Sequence, residues 1–205
     1  MFTPWNSVEL CVNQFTGGRK GSHVAKGNIL NTFSPDSHAL CPNAKSADIM
    51  YENNFVMASN PIIEAVMQQF KPAIGVDYEK YKNHVYRVFS NCLFLDSNPG
   101  NTAKYAIAAV FHDLGIWTDH TFDYLAPSVE QAKRYLMATG QPDWINEIEL
   151  MINWHHKLSP YKGPNETSVE TFRKADWIDV SLGVLTFGLD QHKIKAIRRD
   201  RKSVV

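Results

Sequence analysis

Histidine and aspartate residues in the second half of the chain have the types and positions needed to bind a divalent metal ion. His112 and Asp113 are adjacent and follow the strongly apolar stretch 106–111. Where a buried helix ends, both side chains can point toward one place in the interior, and imidazole and carboxylate groups suit first-row divalent metals. The pair alone also fits a helix end at which the histidine meets the helix dipole beside a solvated aspartate.

Two more candidate ligands fall on or beside apolar helix faces. Asp176 shares a predicted face with Val169 and Phe172, where an unpaired carboxylate would be costly, so we expect a metal, a cation or strong donors beside it. A buried salt bridge to an arginine is the structural alternative. His84 lies on the margin of an apolar face that includes Val88. A lone histidine in such a place is usually a core residue.

Several nearby polar residues could act on a substrate. His155 and His156 fall on opposite flanks of an apolar stripe. At least one should therefore face inward, and the pattern slightly favours His155. Arg87 has a guanidinium fork that suits phosphate or carboxylate, although it could equally be an exposed helix arginine. Asp179 follows Asp176 by three residues and could serve on the same face.

The elements that must position these residues are helices. Apolar residues recur at helical spacing from residue 59 onward, and strand-like alternation is essentially missing there. The sequence therefore predicts an all-α domain of about six main helices. The first has Ser59 or Asn60 as its cap and Pro61 in its first turn, and it stops before Pro72. The sixth starts with a capping box at Thr167 and Glu170 and runs to about residue 187. The predicted ranges of the remaining four are 77–95, 101–114, 127–140 and one that opens at residue 142.

Composition and the positions of turn-forming residues divide the chain into three parts. Residues 1–56 are rich in glycine, asparagine, serine and lysine and show no sustained helical or strand-like hydrophobic period. This pattern predicts an irregular N-terminal extension. Residues 57–192 form the helical domain. Residues 193–205 concentrate basic side chains and are expected to form a solvated tail.

Global composition limits the partners and the compartment. The formal net charge is zero, so nothing favours nucleic acid or an anionic membrane. Three cysteines at wide spacing argue against a disulfide framework, and Cys92 is expected to be a buried small hydrophobe. The chain shows neither an apolar run of membrane-spanning length nor a secretory pattern at its start. We therefore expect a cytoplasmic protein without membrane or nucleic-acid partners, and leave its oligomeric state open, with a homodimer as one option.

Four motifs in order resemble the HD superfamily of metal-dependent phosphohydrolases. They are NHVYRV (83–88), AAVFHDLG (108–115), IELMINWHH (148–156) and RKADWIDV (173–180). The resemblance covers roughly residues 81–189. It implies an HD-type helical bundle in which His84, His112, Asp113 and Asp176 bind one divalent ion, with Mn²⁺, Fe²⁺, Co²⁺, Ni²⁺, Zn²⁺ or Mg²⁺ as candidates.

The function expected from this resemblance is hydrolysis of a small anionic substrate, such as a nucleotide or another phosphate ester. The metal would lower the pKa of a water molecule and polarise the substrate. The residues assigned to catalysis are Asp113, His155 and His156. Those assigned to the substrate are Arg87, Lys157, His120 and Asp179.

Other functions remain open on the same scaffold. A di-iron oxygenase would bind a second iron through His120 and either His155 or His156. A hydratase or hydrolase would act on a small nitrile- or amide-like molecule, and a helical binding module would hold a structural metal. The chain also departs from common family patterns, with Ile116 where some members place a lysine and Ser128 where some two-metal members place a histidine. We therefore expect one metal per chain.

Overall fold

The computed structural model describes residues 58–201, and this part of the chain is built of helices without a β-strand. The predicted all-α class is thereby confirmed. The predicted N-terminal extension, residues 1–56, lies outside the described residues. The helices are α1 (Pro61–Ile74), α2 (Tyr78–Leu95), α3 (Thr102–Phe111), the single-turn α4 (Gly115–Thr118), α5 (Leu125–Ala138), α6 (Ile145–Trp154), α7 (Glu166–Val180) and α8 (Gln191–Asp200).

Local sequence explains the first helix boundaries. The Asn60 side chain accepts hydrogen bonds from the backbone N–H groups of Ile62 and Ile63, so Asn60, and not Ser59, is the N-cap of α1. The prediction that α1 stops before Pro72 is wrong, because this proline lies inside its last turn. The helix ends instead at Gly75, whose φ of 63° glycine adopts without steric cost.

The beginning and the end of α7 also differ from the prediction. The expected capping box is absent, since α7 starts at Glu166 behind Asn165, which has a φ of 58° and makes no side-chain cap. Glu170 is paired with Arg173 instead. The helix stops at Val180, well before residue 187, because Leu182 and Gly183 adopt positive φ angles and reverse the chain.

The basic C-terminal segment is a helix and not the expected tail. Asp190 caps α8 by accepting a hydrogen bond from the His192 N–H group. Ile194 and Ile197 are buried, with Ile194 in a small apolar cluster with Ile178 and Leu189. Ile194 and Ile197 lie three residues apart within the basic segment. This spacing is typical of an amphipathic helix and was overlooked in the sequence.

A single large apolar core holds the helices that position the candidate ligands. The longest helix, α2, packs against α7 on one side and α3 on another, while α6 packs against α5 and α7. Cys92 is fully buried, as predicted. The ends of α3 and α6 and the middles of α2 and α7 therefore come together inside the bundle.

Candidate metal centre

Three helices bring the four candidate ligands together. His84 projects from α2, His112 and Asp113 follow the last residue of α3, and Asp176 lies on α7. His112 and Asp176 are buried and the side chains of His84 and Asp113 are about one-sixth exposed. The close packing of α2 between α3 and α7 makes this convergence possible.

The four side chains lie at the separations expected of ligands around one ion. The Nε2 atoms of His84 and His112 are 3.0 Å apart. Asp113 Oδ2 is 3.2 Å from His112 Nε2 and 3.7 Å from His84 Nε2, and Asp176 Oδ1 is 3.5 Å from His84 Nε2. Ligands at about 2.1 Å from an ion lie roughly 3.0–3.6 Å from one another at common coordination angles.

Hydrogen bonds on the far side of each ring establish which imidazole nitrogens face inward with a lone pair. His84 Nδ1 donates to Asp179 Oδ2 at 2.7 Å, and His112 Nδ1 donates to the Ala109 carbonyl oxygen at 2.8 Å. In the neutral rings, both Nε2 lone pairs therefore point at each other across 3.0 Å. Such an arrangement is repulsive unless a proton or a metal cation lies between the two nitrogens.

The carboxylates of Asp113 and Asp176 also lack the partners that a metal ion would supply. Both oxygens of Asp176 and Oδ1 of Asp113 are buried without a hydrogen-bond partner among the described residues. An uncompensated buried carboxylate is strongly unfavourable. Within residues 58–201, Asp176 does not form the arginine salt bridge considered as the alternative. Two carboxylates and two imidazoles balance a doubly charged ion, so the residues present fit a divalent metal.

His155 and His156 extend the cluster. His155 is fully buried, its Nδ1 donates to the Ile152 carbonyl oxygen, and its partnerless Nε2 lies 3.3 Å from Asp113 Oδ1. The side chain of His156 is about half exposed, with Nδ1 3.9 Å from Asp176 Oδ2. The preference for His155 as the inward-facing histidine is confirmed. Both residues reach the carboxylates, so they lie where a substrate or a further ion would contact the site.

Charges within the cluster shift its titrating groups in opposite directions. Burial opposes the charge on His84, but the hydrogen bond to Asp179 and three nearby carboxylates outweigh it and raise the pKa of His84. Burial likewise opposes ionisation of Asp113, yet His112 and His155 hold the pKa of that carboxyl well below its usual range. Burial and the neighbouring His155 lower the pKa of His156. The interior of the cluster is thus anionic and attracts cations.

Arg87 and Asp179, expected to bind substrate, are paired with each other behind the cluster. Arg87 Nε donates to Asp179 Oδ1 at 2.6 Å and Nη2 donates to Oδ2 at 2.9 Å, and both side chains are buried. Burial alone would raise the pKa of Asp179, but His84 and Arg87 lower it to about 2. The pair therefore orients His84 and does not face a substrate.

The other two expected substrate ligands are exposed. Lys157 follows His156 at the end of α6, and its ammonium group forms no ion pair within residues 58–201. His120 is exposed in the loop after α4, has a φ of 51° and joins none of the metal-ligand groups found in this region. The structure therefore does not bring His120 to the cluster.

Three residues near the site escaped the sequence analysis. Tyr124 forms a hydrogen bond with His156 Nε2. Arg198 on α8 donates to Asp179 Oδ1 at 3.0 Å. Ser128, noted only as a departure from a family pattern, is buried and accepts a hydrogen bond from the Gly115 N–H group. The loop length before α5 and the amphipathic pattern of α8 were the available signals, but neither specifies a side-chain contact.

Comparisons with family models, with curated proteins and with solved structures gave no match. The geometry of the cluster and the motif resemblance are therefore the support for any function.

No helix within residues 58–201 combines the length and the apolar character needed to cross a bilayer.

Proposed function

We propose that the protein is a metal-dependent hydrolase that uses water activated by a divalent ion at His84, His112, Asp113 and Asp176. One observation carries the proposal. The His84 and His112 Nε2 atoms face each other at 3.0 Å beside the buried, partnerless carboxylate of Asp176. A purely structural polar cluster would give both Asp176 oxygens hydrogen-bond donors, whereas a divalent ion among the four ligands would compensate the buried carboxylate.

The ion supplies Lewis acidity, which lowers the pKa of water and polarises a substrate oxygen or nitrogen. The protein's own groups do the rest. Asp179 and the Ala109 carbonyl group hold the two imidazole rings in the tautomer that leaves Nε2 free. His155 and His156 follow the last residue of α6 and face the same carboxylates, where they can accept or hold a proton of the attacking water.

The first candidate substrate is a small phosphate ester such as a nucleotide. Support comes from the four HD-type motifs and from the partly exposed edge of the cluster, where His156 and the unpaired Lys157 offer donors to an anion. Their direct contact with a phosphoryl group would stabilise negative charge that develops during hydrolysis.

A second candidate is hydration or hydrolysis of a small uncharged nitrile- or amide-like molecule. The observation in its favour is the complete engagement of Arg87, whose third donor, Nη1, binds the Arg201 carbonyl oxygen at 2.9 Å. The guanidinium that would bind a phosphate bidentately is thus occupied. An uncharged substrate needs no such group.

The test combines metal analysis with turnover. Purified wild-type protein and the Asp176→Asn variant would be assayed for bound metal, then screened against nucleotides, sugar phosphates, nitriles and amides. We expect wild-type protein to contain metal and to turn over one substrate class, while the variant has neither property. Metal without turnover of any class would indicate a structural metal, and wild-type protein that binds no divalent ion would refute the proposal.

A further inference from the structure

The loop before α5 places one hydroxyl group at the edge of the metal centre. Tyr124 directly precedes α5, and its hydroxyl group is hydrogen-bonded to His156 Nε2, with the two rings in edge-to-face contact. The hydroxyl group is also within the electrostatic reach of Asp113 and Asp176. Every group that this hydroxyl contacts therefore belongs to the candidate site.

The backbone of Tyr124 is tightly held. Its carbonyl oxygen accepts a hydrogen bond from the Ser128 N–H group at 3.0 Å, and Ser128 Oγ accepts from the Gly115 N–H group at 2.9 Å. A Cβ atom at position 115 would collide with the same carbonyl oxygen, so α4 and the start of α5 are in direct backbone contact. The ring of Tyr124 is thus presented to the cluster from a fixed support.

The protonation state suits a donor. A tyrosine hydroxyl group ordinarily has a pKa of about 10, so the phenol carries its proton at neutral pH and can donate it in a hydrogen bond. His156, its partner, is about half exposed and marks the side of the cluster open to solvent. A ligand that approaches the carboxylates from solvent meets these two side chains first.

We propose that the Tyr124 hydroxyl group is a substrate-contacting residue that donates a hydrogen bond to a phosphoryl oxygen held at the metal centre. This inference rests on the proposed phosphohydrolase function. A substrate oxygen beside Asp113 would compete with His156 Nε2 for the phenol proton, and no bond other than hydrogen bonds changes. A fixed donor aimed at a developing oxyanion commonly contributes about 10²–10³ in turnover.

The test uses inorganic phosphate as the probe and Co²⁺ as a visible reporter. Wild-type, Tyr124→Phe and Tyr161→Phe proteins would be loaded with Co²⁺ and titrated with phosphate while the visible Co²⁺ absorption is followed. Tyr161 is the matched control because its hydroxyl group donates to the Pro164 carbonyl oxygen, outside the cluster. Circular dichroism would check the fold, which the retained phenyl ring is expected to preserve.

We expect all three proteins to bind the same amount of Co²⁺, and the phosphate Kd to rise about tenfold or more in Tyr124→Phe alone. Unchanged phosphate binding in Tyr124→Phe would overturn the inference and leave the proposed function intact. Equal weakening in Tyr161→Phe would overturn it as well. Wild-type protein that binds no Co²⁺, or binds Co²⁺ but not phosphate, would contradict the phosphohydrolase proposal itself.

Discussion

At the scale of single residues, the site depends on partners that orient the ligands. Sequence patterns identified the inward-facing residues, because a polar side chain on an apolar helix face stands out from its neighbours. They could not reveal that Arg87 and Asp179 pair with each other, since these residues are separated by 92 positions and meet only after α2 packs on α7. The expected substrate arginine is thus a support for His84.

Replacing Arg87 with alanine is expected to destabilise the fold and weaken metal binding. The change removes the bidentate partner of the buried Asp179 and leaves only His84 and Arg198 beside it. The free energy of unfolding should fall by at most about 3–5 kcal/mol, the range for a buried charge left without a partner. Urea denaturation and metal titration would measure both effects. Arg134→Ala, which removes an exposed pair with Glu130, is the control and should change stability by less than about 0.5 kcal/mol. An Arg87→Ala protein that differs from wild type only in KM would contradict the supporting role.

Asp179 gives the chain a defined acid sensitivity. Its pKa is lowered from 3.8 to about 2 on folding, so the unfolded chain binds the proton more tightly. The carboxylate therefore stabilises the fold above about pH 4 and loses this contribution as pH falls through about 2.

The expected result is that the stability advantage of wild type over Asp179→Asn shrinks by about 2 kcal/mol between pH 4 and pH 2. Denaturant unfolding of the metal-free proteins across that range would show it. A difference that stays constant with pH would mean that Asp179 is not ionised against His84 and Arg87.

At the scale of elements, periodicity predicted where most helices lie but not how they end. Helices α2 and α3 were expected close to their observed bounds, because a long apolar face and a clear break define them. The end of α7 was missed because Leu182, a residue that rarely adopts positive φ, takes a φ of 58° there. The helix α8 was missed because its basic residues hid Ile194 and Ile197.

The contact between α4 and α5 makes Gly115 sensitive to any side chain. A Cβ atom there would collide with the Tyr124 carbonyl oxygen and lie 3.0 Å from Ser128 N. We expect Gly115→Ala to lower the free energy of unfolding by about 1–3 kcal/mol, since backbone atoms must move. In Gly100→Ala the nearest atom is the Asn98 side-chain oxygen at 3.2 Å, so this control should change little. Equal unfolding midpoints for both variants would argue against a close α4–α5 contact.

At the scale of the whole molecule, the C-terminal helix completes the support behind the metal centre. Arg198 donates to Asp179, and the Arg201 carbonyl group accepts from Arg87. The apolar face of α8 covers Ile178 next to Asp179. The C-terminal segment is therefore part of the domain, although its composition alone suggested a solvated tail.

A chain that ends at residue 190 should consequently lose stability and bind divalent metal more weakly. The matched control ends at residue 201, which removes only the segment beyond α8 and should behave as wild type. Thermal unfolding and Co²⁺ titration of the three proteins would test this. A chain ending at 190 that unfolds and binds Co²⁺ as wild type does would show that α8 does not support the site.

The central claim is that the histidine and aspartate cluster holds one metal ion. The most direct measurement is anomalous diffraction at the Co²⁺ absorption edge from crystals of the Co²⁺-loaded protein. We predict one strong peak about 2.1 Å from the Nε2 atoms of His84 and His112, in contact with Asp113 and Asp176. A second peak of equal height beside His155 would contradict the single-ion stoichiometry, and the lack of any peak within the cluster would contradict the claim itself.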